Sequence, residues 1–151
     1  MLIVGPADPG APGPRALLER SHALMRALFE PDQNHVLDVA ALRGDDIRFL
    51  AARKGDTVLG VGALASRDGY AEVKSMFTDP AARGRGVADA ILRALIDLGV
   101  ADGHPVIRLE TGHGLDAAHR LYERHGFVRC GPFGAYPDDP ASLFYERAAD
   151  P

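Results

Sequence analysis

Arg83-Gly84-Arg85-Gly86-Val87-Ala88 is the stretch whose residue types and spacing could do chemistry. It follows a run from Glu72 to Thr78 that reads as a strand, passes Asp79-Pro80, and turns into a helix containing Ile91 and Leu95. The first four N–H groups of a helix have no intrahelical partner, and small residues at Gly84, Gly86 and Ala88 let a ligand approach them closely. The helix end carries about half a positive charge, to which Arg83 and Arg85 can add forked donors, so the expected chemistry is capture of an anion. The same residues would also make a plain strand-to-helix turn with solvated arginines.

Other chemistries fail on spacing. Gly60 to Ala65 has the letters of a dinucleotide fingerprint, but Ser66-Arg67-Asp68-Gly69 turns the chain into another strand where that motif needs a helix. Neither Lys54 nor Lys74 follows a glycine, which removes a Walker A loop. No Gly-x-Ser-x-Gly surrounds any serine. His119 and His125 are six residues apart on one predicted helix and point different ways, while the other histidines lie on separate segments, so no metal site is expected.

The elements that must position the anion cradle follow from periodicity. Leu2 to Val4 reads as a strand, and the apolar stripe Leu17, Leu18, Leu24, Met25, Leu28 and Phe29 as a helix ended by Pro31. The segment from Glu30 to Asp46 is mixed, with Asp38 able to cap a turn through Leu42. Ile47 to Arg53, Thr57 to Ser66 and Tyr70 to Thr78 read as three strands joined by short turns, an antiparallel meander. A helix through Leu95 and Ile96 stopped at Gly99, a strand Val106 to Glu110, a helix Asp116 to His125 with Gly126 as left-handed cap, and strands Phe127 to Arg129 and Ser142 to Arg147 complete the chain. The order indicates α/β in the mixed α+β sense, a mixed sheet covered by helices.

Composition bounds the function. A chain of 151 residues with 46% hydrophobic and 25% charged residues suits one domain over 1–151. A net charge of −4, with fifteen Arg and only two Lys, lacks the basic footprint of a nucleic-acid binder. The longest apolar run, Val58 to Ala65, is too short to span a membrane. No signal peptide is legible and Cys130 is the lone cysteine, so the cytoplasm is the expected compartment.

Arg83-Gly84-Arg85-Gly86-Val87-Ala88 resembles the Q/R-x-x-G-x-G/A signature of the GNAT superfamily of acyl-CoA-dependent N-acetyltransferases. Leu121-Tyr122-Glu123-Arg124-His125-Gly126-Phe127 resembles the later L-Y-E-x-x-G-F segment of that superfamily, in the right order. The resemblance spans about Ile47 to Arg147. The stretches Glu72 to Met76, Leu109 to Gly112 and Phe133 to Tyr136 look like a bacterial subgroup. It implies a GNAT fold, a central mixed sheet of about six or seven strands with helices on both faces, and transfer of an acetyl group from acetyl-CoA, as co-substrate without a metal, to a primary amine of a small molecule or peptide in a direct ternary complex. A homodimer is compatible with it. Transfer of a longer acyl group, or a non-catalytic acyl-CoA-binding module, are the alternatives.

Residue by residue, the resemblance assigns the CoA pyrophosphate to Arg83, Gly84, Arg85, Gly86, Val87 and Ala88. It assigns the pantetheine arm to Met76, Phe77 and Thr78, where that strand splays from the one around Leu109. Leu115 stands where many relatives carry an asparagine that touches pantetheine, and leucine cannot make that bond. Tyr122 aligns with the acid that protonates the departing thiolate; its other reading is a packed aromatic. An acceptor amine with a pKa of about 10.4 is almost wholly protonated at neutral pH and needs a base. Glu72 matches the position of a base in some relatives, although Lys74 on the same strand face would make it an ion-pair partner instead. Glu110 is the reserve candidate and His113 the weaker one. The first helix and the loop through His35 would form the acceptor wall.

Overall fold

Continuous buried runs along Ile47–Lys54 (β2), Thr57–Ser66 (β3) and the start of Ala71–Thr78 (β4) show that both faces of these strands are covered, and the short turns between them leave only antiparallel pairing. Leu2–Pro6 (β1) pairs antiparallel with β2 at one edge. Beyond β4, the helix Val87–Ala101 (α3) crosses over to Val106–Gly112 (β5), which pairs parallel with β4 as a helical crossover requires. Ser142–Ala148 (β7) inserts antiparallel against β5, and Val128–Cys130 (β6) pairs with β7 at the far edge. The computed structural model describes residues 1–149, in which the seven strands form one mixed sheet in the order β1-β2-β3-β4-β5-β7-β6.

Helices cover both faces. Pro12–Leu28 (α1) starts with Pro12 and Pro14 in its first turn, where a missing N–H costs nothing, and buries Leu17 and Leu18 against Phe49, Ala51, Val61 and Ala63. Leu24 and Leu28 stay exposed at 36% and 51%, while Met25 of the same half, with Phe29 just after it, walls a cavity. The loop after it holds the short helix Val39–Leu42 (α2), capped by Asp38, whose carboxylate accepts the Ala41 N–H at 2.8 Å. On the opposite face, α3 and Asp116–Arg124 (α4) pack against Leu64, Val73, Ile107, Leu109 and Tyr145. Burying Ile91, Leu92 and Leu95 of α3 contributes roughly 1.5–3 kcal/mol per side chain.

Gly99 corrects the expected end of α3. The helix continues through it to Ala101, and a Cβ on Gly99 would come within 2.9 Å of Ile107 Cδ1. The glycine is therefore a close-packing position between α3 and β5. Among the described residues no helix is long and apolar enough to cross a membrane.

Candidate active site

The pairing of β4 with β5 covers only Ala71 to Val73 against Ile107 to Leu109. Beyond it, Ser75 and Met76 stand opposite the single residue Gly62 of β3, and Ser75 adopts φ +59°, a left-handed conformation rare outside glycine. Such a bulge bends the strand that carries it. It accompanies the opening of the sheet, where β4 backbone groups lose the partners that β5 supplied. A cavity fills the opening, bordered on the sheet side by Lys74, Ser75, Met76, Glu110 and Thr111. His22 and Met25 of α1, with Phe29, Asn34 and His35 of the segment after it, form one wall. Leu115 and Tyr122 close the other.

At the far end of β4, Pro80–Ala82 makes a single 3-10 turn that delivers the chain to the cradle. Gly84 and Gly86 have φ of +80° and +77°, and a Cβ at either would meet no atom within 4 Å. Backbone conformation demands the glycines, and the space above them stays open. Gly86 is the N-cap of α3 and brings no side chain to its N–H groups. Arg83 and Arg85 are exposed and form no ion pair among the described residues. The acidic residue of this first turn, Asp89, is occupied by His125 Nε2 at 2.9 Å and Arg124 at 3.1 Å, and the His125 hydrogen bond above all holds its carboxyl below the usual range. Bare amides, two free arginines and open glycines fit the diphosphate of CoA, and the opening between β4 and β5 fits an amide-bearing arm.

Glu110 sits at the cavity, half-buried, and accepts a hydrogen bond from Ser142 Oγ at 2.8 Å. Burial pushes its carboxyl up, against the opposing pull of that hydrogen bond and of Lys74. Tyr122 belongs to the core on the α3 side, 7% exposed, and packs on Phe127 and Tyr145. Its hydroxyl makes no protein hydrogen bond among the described residues, and burial together with the Glu110 charge holds its pKa well above the ordinary 10.0. It is therefore a proton holder at neutral pH. Leu115, the N-cap of α4, offers no side-chain hydrogen bond.

Glu72 lies on the α1-facing side of β4 and is 3% exposed. It is 3.5 Å from both Lys74 Nζ and Arg67 Nε, and accepts a very short hydrogen bond from the Tyr136 hydroxyl. It does not border the cavity, whereas Lys74 does. Lys74 Nζ donates to the Tyr136 hydroxyl at 2.6 Å and to the His35 carbonyl at 2.8 Å. Of the residues singled out in the sequence, the opening thus gathers Tyr122, Glu110 and Met76 at one cavity, with Gly84 and Gly86 beyond it and Glu72 behind Lys74. Phe77 and Thr78 pair with Val61 and Gly60 of β3, and His113 gives its backbone N–H to the Ala141 carbonyl.

Tyr136 was hidden in sequence as a catalytic neighbour, since it follows Gly134 in a Pro/Gly-rich stretch 64 residues from Glu72. Its only signal was an aromatic in the Phe133 to Tyr136 stretch. The ring stacks edge-on with His35, Phe133 and Phe144, with centroids 5.0–5.7 Å apart.

Known proteins share this sequence pattern and fold. The model of the Acetyltransferase (GNAT) family matches residues 16–127. The chain is 41% identical over 133 residues to a protein of Azospirillum brasilense named IAA acetyltransferase, with 87% of each chain covered. It is 36% identical over 147 residues to the Escherichia coli (strain K12) protein named Uncharacterized N-acetyltransferase YedL, covering 95% of this chain and 92% of that one. Among solved structures, an acyl-CoA N-acyltransferase by description, from Klebsiella pneumoniae, superposes with a TM-score of 0.86 at 28% identity over 99% of this chain and 98% of its own.

Proposed function

Because this chain belongs to the GNAT family of acetyltransferases, we propose that residues 1–151 form one domain that transfers the acetyl group of acetyl-CoA to a primary amine. The observation that carries the reading is the parting of β4 from β5 after Val73 and Leu109, beside the uncapped start of α3. It supports an extended binding path from the glycine cradle to the Glu110 carboxylate. Along that path, the backbone from Arg83 to Ala88 holds the diphosphate, and Met76 to Thr78 flank the pantetheine arm. Bound acetyl-CoA supplies an activated acetyl thioester.

The remaining steps belong to the protein. An ammonium acceptor must lose a proton before its nitrogen can form the amide bond. Glu110 takes that proton, because it faces the cavity, carries no bonded cation and has a carboxyl whose basicity burial increases. As the bond from acetyl carbon to sulfur breaks and the new amide nitrogen loses its second proton to solvent, Tyr122 gives its hydroxyl proton to the thiolate and regains one from solvent. Its raised pKa makes the gift uphill from a thiol of about 8.5, so Tyr122 contributes mainly by holding a proton within reach. Glu72 acts behind this line, fixing Tyr136 and Lys74.

Free thiol released from acetyl-CoA in the presence of amines tests the reading. The expected result is amine-dependent release with formation of the N-acetyl product. Tight CoA binding without release across free amino acids, aliphatic amines and peptide N-termini would leave a binding module. A faster reaction with longer acyl-CoA donors would move the acyl assignment.

A further inference from the structure

His35 is half-buried at the cavity, and its Nε2 lies fully buried with no hydrogen-bond partner among the described residues. Leaving such a nitrogen bare is unfavourable by about the cost of a lost hydrogen bond, so a site that keeps one buried usually meets it with a ligand or a water. The residue is also held from two sides. Lys74 Nζ fixes its backbone carbonyl at 2.8 Å, and its ring meets the Tyr136 ring edge-on at 5.0 Å. These contacts tie an otherwise irregular loop to β4, as a positioned recognition group requires.

The charges around it have a direction. Glu110 offers a carboxylate with only a serine hydroxyl bonded to it, while Lys74 brings a cation to the same cavity with two of its protons already donated. Met25, Phe29 and Val36 add apolar surface beside His35. Building on the acetyl-transfer reading, we propose that His35 is a specificity-determining residue that binds the carboxylate of an α-amino-acid acceptor. The ammonium of that acceptor faces Glu110, and its apolar side chain lies on the α1 wall. Nε2–H donates to the carboxylate, and Lys74 supplies the longer-range positive charge.

The test compares L-leucine with 3-methylbutylamine, the same skeleton without the carboxylate, in His35→Phe and His35→Gln variants. Phenylalanine keeps a ring against Tyr136 and removes the nitrogen, whereas glutamine retains a donor. For His35→Phe, KM for L-leucine should rise about tenfold to a hundredfold, the scale of a charge-assisted hydrogen bond. KM for 3-methylbutylamine and for acetyl-CoA should hold, and His35→Gln should recover part of the loss. Equal changes for both amines, or none, would overturn the assignment. Imidazole resonances of wild-type protein saturated with CoA give an independent readout: His35 should shift on addition of L-leucine, and an unmoved signal also overturns it. Thiol release separates the two claims, since transfer to other amines with an indifferent His35 removes only this proposal, and no transfer to any amine removes the acetyltransferase reading while the resonances still decide His35.

Discussion

Val73 and Leu109 form the last paired positions of β4 and β5, and the strands part immediately beyond them. The parallel register between them brings Glu72 opposite Arg108. Past Val73, Lys74 turns to the cavity wall and Glu110 to its floor. Two carboxylates on neighbouring strands thereby acquire different surroundings, Glu72 between Lys74 and Arg67 and Glu110 facing an open cavity.

If the opening and the cradle hold acetyl-CoA, the ligand must protect the fold against heat. A ligand bound only by the native state at a hundred times its dissociation constant stabilises by about 2.7 kcal/mol, which for a chain of this size raises Tm by roughly 5–11 °C. Differential scanning fluorimetry with and without saturating acetyl-CoA measures it. An unchanged Tm removes the cofactor assignment.

Gly86 gives a second test because its φ of +77° and the open space around it make opposite demands. Gly86→Ala meets no steric neighbour but pays about 1–2 kcal/mol for the left-handed backbone. Gly86→Glu pays the same and puts a negative charge where the diphosphate lies. Both should fold, and titration with CoA should show binding weakened in the first and lost in the second.

Burial of Glu110 also makes a statement about stability. Its folded pKa is raised above the unfolded value near 4.5, so between these two values the native state holds more protons than the unfolded chain. Stability from this group is then fully present below the unfolded value and is lost as pH rises through the folded one. Glu110→Gln should flatten that decline. The difference between wild-type and variant denaturation midpoints, measured from about pH 4 to pH 8, checks it; a difference independent of pH would mean that the carboxyl is not perturbed.

Much of this architecture is legible locally. The meander from Ile47 to Thr78 declares itself through three strand-like runs and two short turns, and the cradle through Gly84 and Gly86 next to a strand and a helix. Gly99 misleads because a glycine late in a helix signals a cap, while here its missing Cβ makes room for Ile107 across the sheet. The left-handed φ of Ser75 has no local sequence cause, since a bulge arises from how β3 and β4 register with each other. Glu72 and Lys74 announce their proximity two residues apart on one strand. What Lys74 holds, the Tyr136 hydroxyl it shares with Glu72 and the His35 carbonyl, lies 62 and 39 residues away in sequence and could be found only in three dimensions.

The division of labour among Glu110, Glu72 and Tyr122 predicts three different outcomes of substitution. As the base, Glu110 must be ionised, so kcat/KM should rise with pH through its raised carboxyl pKa and again as free amine accumulates. Glu110→Gln should lower turnover by about the 10²–10⁴-fold typical of a positioned base, with part of the loss recovered at high pH. Glu72→Gln removes the carboxylate that accepts from Tyr136 and leaves Lys74 and Arg67 without their shared anion. It should raise acceptor KM by loosening both wall loops, with the shape of the pH profile unchanged. Tyr122→Phe should cost least, because a thiolate is already a tolerable leaving group and solvent can protonate it. Turnover measured from pH 6 to pH 10 for all three variants decides the assignment: a Glu72→Gln enzyme that alone loses its pH dependence would return the base to Glu72, and an unshifted Glu110→Gln profile would remove it from Glu110.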